Sequence, residues 1–96
     1  MFTKLNPNWL ESSEGYVFRI ISPHKIVYME STHALLINSD PLTYGDGKYG
    51  LAVYVSEIEV WNPPYEKEVI DNFAINKIKG RISESLIFLS IPYRFC

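Results

Sequence analysis

From Gly15 the apolar positions alternate as a sheet requires. Tyr16-Val17-Phe18-Arg19-Ile20-Ile21 is aromatic and β-branched, and Arg19 marks the wetter face at period two. Ser22-Pro23-His24-Lys25 is a turn signal, because proline presets φ and cannot donate to a ladder. Ile26-Val27-Tyr28-Met29-Glu30 returns as the second arm of a hairpin, and Ala34-Leu35-Leu36-Ile37 is a short third strand. Before Gly15, residues 1–14 form a polar lead with Trp9-Leu10 as its one apolar anchor. After Ile37, residues 38 to 50 make the main irregular stretch, marked by Asp40-Pro41 and Gly45-Asp46-Gly47.

The strongest strand signal is Leu51 to Trp61. Its first half is apolar on both faces, as in a covered central strand. Its second half alternates, with Glu57 and Glu59 opposite Ile58 and Val60. Parity shifts near Ser56, which predicts a bulge or an exit from the core there. Asn62-Pro63-Pro64 ends the strand, since a sheet interior cannot carry two prolines. Beyond Tyr65 the period turns helical: Val69, Ile70, Phe73, Ala74 and Ile78 form one predicted core-facing stripe. Acids lie at its start and Lys77, Lys79 and Arg81 towards its end, as the helix dipole prefers, and Gly80 either ends the helix or is carried within it. Leu86 to Ile91, stopped by Pro92, reads as a closing strand. The expected fold is α+β: a small, mostly antiparallel sheet of four to five strands, one C-terminal amphipathic helix, then a last strand. Residues 1–96 make a single domain, with a lead at 1–14, a core at 15–91 and a tail at 92–96.

Composition narrows the function. The 96 residues are 47% hydrophobic and 21% charged, so the chain is expected to fold rather than stay disordered. A net charge of −2 argues against nucleic-acid binding by phosphate neutralisation. The longest apolar run has five residues, Leu51 to Val55, so no membrane span is expected, and the N-terminus lacks the pattern of a signal peptide. Cys96 is the single cysteine and has no internal partner; a reduced, cytoplasmic protein is expected.

Catalytic chemistry finds little support. His24 and His33, which the hairpin could bring together, lack the close spacing of metal ligands, so neither a metal nor a cofactor is expected. Gly45-Asp46-Gly47-Lys48-Tyr49-Gly50 precedes a strand rather than a helix and lacks the GxxxxGK[ST] pattern, so it reads as a loop, not a phosphate cradle. Charge placement says more. Between Glu57 and Asp71 stand five acids and one base, Lys67, with Trp61 and Tyr65 among them. Large aromatics amid charges are the composition of protein interfaces. Helix-dipole acids account for Glu66, Glu68 and Asp71 unaided; Glu57 and Glu59 beside Trp61 need another reason.

The run Ser56-Glu57-Ile58-Glu59-Val60-Trp61-Asn62-Pro63-Pro64-Tyr65-Glu66, leading into a helix and a terminal strand, resembles the immunity protein 74 family of bacterial contact-dependent-inhibition and polymorphic-toxin systems. The Gly15-Tyr16 strand opening fits the same outline. Two departures stand out: Asn62 occupies the aspartate of a Trp-Asp-Pro-Pro pattern, and the insert from Asp40 to Gly50 is long and glycine-rich. The resemblance implies a non-enzymatic cytoplasmic protein that neutralises a cognate toxin domain, often a nuclease, as a 1:1 complex. Combined with the charge pattern, it makes Glu57, Glu59, Trp61, Tyr65, Glu66 and Glu68 the expected binding surface. Two other readings stay open: a small-molecule or enzymatic domain using the Gly45–Gly50 loop with His24 or His33, and a homo-oligomeric adaptor.

Overall fold

The computed structural model describes residues 1–43 and 47–96. Seven strands form a sheet whose spatial order follows the chain: β1 (Phe2–Asn6), β2 (Trp9–Ser12), β3 (Tyr16–Ser22), β4 (Lys25–Glu30), β5 (His33–Thr43), β6 (Tyr49–Val53) and β7 (Tyr93–Phe95). Every neighbouring pair is antiparallel except β6 and β7, which run parallel. Parallel neighbours need a crossover. It is supplied by a single-turn 3-10 helix at Val55–Glu57 and by α1 (Asn72–Phe88).

Alternation sets the core. Tyr16 and Phe18 of β3, Ile26 and Tyr28 of β4, and Leu35 and Ile37 of β5 turn to one face and are buried. Ile78, Ile82 and Leu86 of α1, each fully buried, close over them. Of the residues on the other face, Ile21, Met29 and Leu36 are exposed and Val17 and Val27 are partly buried. The helix is held laterally as well. Arg81 donates from Nη1 to the Tyr28 hydroxyl at 3.0 Å, that hydroxyl donates to Glu30 Oε1 at 3.0 Å, and Lys77 reaches Glu30 Oε2 at 3.2 Å.

The α+β class and the helix-then-strand ending hold, but four to five strands is an undercount. Residues 1–14 contain β1 and β2, whose polar texture has a physical cause: they lie at one border of the sheet, and of their apolar side chains Phe2 and Leu10 turn to the covered side while Leu5 is exposed. The stretch expected to be irregular after Ile37 is mostly strand. Pro41 fits within β5 because it stands opposite Leu51 at a position whose partner directs its own N–H away, to the Pro92 carbonyl at 2.9 Å. The expected strand from Leu51 to Trp61 ends at Val53; the parity shift near Ser56 marks the 3-10 turn. The helix begins later and runs longer than expected. Its core stripe is Ile78, Ile82 and Leu86, whereas Val69 and Phe73 are 78% and 83% exposed. Gly80 is interior to it, Leu86 to Phe88 form its last turn, and the closing strand falls at 93–95.

Candidate partner-binding surface

A tight turn positions the centre of the acidic segment. Glu30 and His33 are paired, so β4 and β5 are joined by Ser31 and Thr32 alone, with Ser31 at φ 52°. Such two-residue hairpins favour positive φ because their twist matches that of the strands. His33 therefore stands at the very start of β5.

After the 3-10 turn the chain swings away from β5 and returns at Asn62. Asn62 N–H donates to the Ala34 carbonyl at 2.9 Å, and Asn62 Oδ1 accepts from the Leu36 N–H at 3.4 Å. Either an amide or a carboxylate oxygen fills that role, which absorbs the asparagine in place of aspartate. A cis Pro63–Pro64 bond follows, and two successive turns (Tyr65 N–H to Asn62 O, Glu68 N–H to Tyr65 O, 3.0 Å each) coil residues 62–68 over the end of the sheet. A bridge between Val60 and Val69, with Ile70 N–H to Glu59 O at 2.9 Å, closes the excursion at its base.

His33 holds this excursion. Its ring stacks on Tyr65 at 3.8 Å between centroids and meets Trp61 edge-on at 5.1 Å. Its Nε2 lies 3.0 Å from Glu68 Oε2. Stacked and edge-on aromatic pairs contribute about 0.5–1.5 kcal/mol each beyond burial. Trp61 is half-buried and packs on the core from outside, so it is both structural and partly presented.

The six expected surface residues thus divide. Trp61, Tyr65 and Glu68 converge on His33. The Glu59 and Glu66 side chains are exposed and make no hydrogen bond or ion pair among the described residues. Glu57 joins a different network, in which its Oε1 accepts from Asn38 Nδ2 at 2.8 Å while Asn38 Oδ1 accepts from Lys25 Nζ. That network borders an open trough of about 370 Å³. There Asp40 accepts from the Tyr54 hydroxyl at 2.5 Å and lies 3.1 Å from His24 Nδ1. The Tyr54 bond first, and His24 second, hold the Asp40 carboxyl below its ordinary value, and the same bond raises the Tyr54 phenol.

The hairpin does not bring the histidines together. They stand at opposite ends of β4, roughly 20 Å apart at the rise of a strand. Among the described residues no group of three or more histidine, cysteine, aspartate or glutamate side chains is placed to hold a metal. Of the Gly45–Gly50 loop, Gly45 and Asp46 lie outside the described residues, and Gly47 has φ 82°.

Sequence reasoning gave His33 only acid–base or ligand roles, and it placed Val69 and Phe73 in the core. The signal for His33 was the two-residue turn before it. For Phe73 it was helical phase: at 3.6 residues per turn, Phe73 lies about 140° from Ile78.

The family model described as Immunity protein 74 matches residues 20–95, from within β3 to the end of β7. No curated protein and no solved structure matches the chain. The matched span includes the whole excursion from β6 through the His33-held turns to α1, the part where the sequence pattern and the geometry coincide. This chain belongs to the immunity protein 74 family.

Proposed function

We propose that this protein binds and neutralises a cognate antibacterial toxin domain, a nuclease, as a 1:1 complex in the cytoplasm, with no turnover of its own. Family membership across residues 20–95 carries this reading. The contact surface in this reading comprises Glu57, Glu59, Trp61, Tyr65, Glu66 and Glu68. Acidic side chains held on a firmly docked segment suit a cationic partner, because complementary charge speeds encounter and rejects wrong partners. A nuclease offers such a surface where it binds phosphates.

A tagged pull-down from the native host, with the bound fraction identified by mass spectrometry, tests the reading. The expected result is a stoichiometric complex with the C-terminal domain of an exported protein that is toxic when expressed alone. A partnerless monomer, recovered from cells shown to express the neighbouring toxin, overturns it. Within that complex, Glu57→Lys combined with Glu59→Lys is expected to abolish protection while the chain still melts in one cooperative transition, since both side chains are exposed. Unchanged affinity would remove these two acids from the surface.

A further inference from the structure

Three apolar side chains at the base of the excursion face solvent: Val69 and Phe73, which the helical pattern predicted in the core, and Val60, which the strand alternation put on an apolar face. Val60 and Val69, paired across the closing bridge, are 41% and 78% exposed, and Phe73 in the first turn of α1 is 83% exposed. The helix is capped by Asp71, whose Oδ1 accepts from Ala74 N–H at 2.8 Å, and is anchored by Ile70, Ile78 and Ile82. Large exposed apolar groups rimmed by charge are the anatomy of a binding patch: an apolar centre that excludes water and a polar rim that orients.

The chain around these three residues is predominantly acidic. Glu59 precedes Val60, Glu66 and Glu68 lie just before Val69, Asp71 lies between Val69 and Phe73, and Lys67 is the one base within residues 57–71. Lys77, one helical turn beyond Phe73, is engaged by Glu30 at 3.2 Å. A rim of acids repels phosphate backbones, so nucleic acid is a poor occupant. We infer that Phe73, exposed four residues along the chain from the bridged Val69, is the apolar anchor of the binding surface, and that its occupant is a protein with a phenyl-sized apolar pocket ringed by lysine or arginine. The inference rests on the toxin-binding reading and extends it: the surface reaches onto α1, and its energetic centre is Phe73 rather than Trp61.

The test is calorimetric titration of the purified partner domain recovered in the pull-down against the wild-type chain, Phe73→Ala, Val69→Ser and, as a control, Ile21→Ser. Ile21 is an exposed apolar residue at the opposite end of the sheet. The expected result is a loss of roughly 30-fold or more for Phe73→Ala, the range of interface hot spots, with Ile21→Ser within twofold and melting temperatures unchanged. Wild-type affinity should fall at least about tenfold between 50 and 500 mM NaCl, as screening of charge complementarity requires. Wild-type binding by Phe73→Ala, or binding indifferent to salt, overturns this inference and leaves the toxin-binding reading standing. Failure of the wild-type chain to capture any partner overturns both. A homodimer in ultracentrifugation that Phe73→Ala dissociates also overturns it, since the occupant would then be a second copy.

Discussion

Tyr28 joins the two layers of the fold through one hydroxyl, which donates to Glu30 and accepts from Arg81. Its phenol is pushed up to about 12, by burial first and by the Glu30 charge, against the pull of Arg81. In the unfolded chain the group returns to its ordinary value of 10.0. Between pH 10 and about 12 the unfolded state therefore releases a proton that the native state keeps, and stability falls as pH rises through that window. Below pH 10 the contribution is complete. Tyr16, also raised by burial, acts in the same direction. Urea midpoints measured from pH 8 to 12 should decline less steeply for Tyr28→Phe than for the wild-type chain. Parallel declines would show that this phenol is not the titrating group. No pattern rule reaches this residue's role: Tyr28 was legible as a strand residue, but one of its two hydroxyl partners, Arg81, stands fifty-three residues away.

At the scale of elements, α1 carries a residue that its own geometry does not need. Gly80 sits mid-helix on the exposed side, and a Cβ there meets nothing within 4 Å. Gly80→Ala is expected to raise unfolding free energy by about 0.5–1 kcal/mol through helix propensity and reduced unfolded-state entropy. A few degrees in a calorimetric melt would register it; no gain would point to a use for the flexibility. The β3–β4 hairpin and the start of β5 were legible because turn chemistry and period-two alternation agree there. The helix boundaries were not. Leu86-Ile87-Phe88-Leu89 is an apolar run of strand-like length, and only its phase with Ile78 and Ile82 reveals a helical turn. β1 escaped notice because a border strand covered on one side needs few apolar residues. Charge and aromatics singled out a segment whose Trp61, Tyr65 and Glu68 the fold gathers on His33. That docking depends on tertiary placement, whereas the outward phase of Phe73 was readable once the helix frame was set by Ile78 and Ile82.

Across the whole molecule, one joint closes the sheet. β7 pairs with β6 only after the chain has traversed α1, and Gly50 lies at the mouth of that joint, beside Pro92. A Cβ at Gly50 would fall on the Pro92 carbonyl, which is backbone and cannot rotate away. Gly50→Ala is thus expected to cost about 3 kcal/mol or more, the upper range for overpacking, read as a lowered urea midpoint. A cost below about 1 kcal/mol, typical of a tolerated surface change, would mean that β7 can shift without penalty.

The strand order carries a consequence in time. Each of β2 to β6 lies beside the strand made immediately before it, so those pairings close short loops and need not await distant chain. Leu51 and Tyr93 are the exception, partners separated by the whole excursion and helix. Their pairing also positions Cys96, whose carbonyl accepts from Ser56 N–H at 3.0 Å and whose N–H donates to the Val53 carbonyl at 2.8 Å. The turn that bears Glu57 is therefore clipped into place by residues translated forty positions later. A ribosome-bound chain that has not yet delivered residues 93–96 displays most of its sheet but an untied Glu57 turn, so under the toxin-binding proposal chains lacking those four residues should bind the partner more weakly.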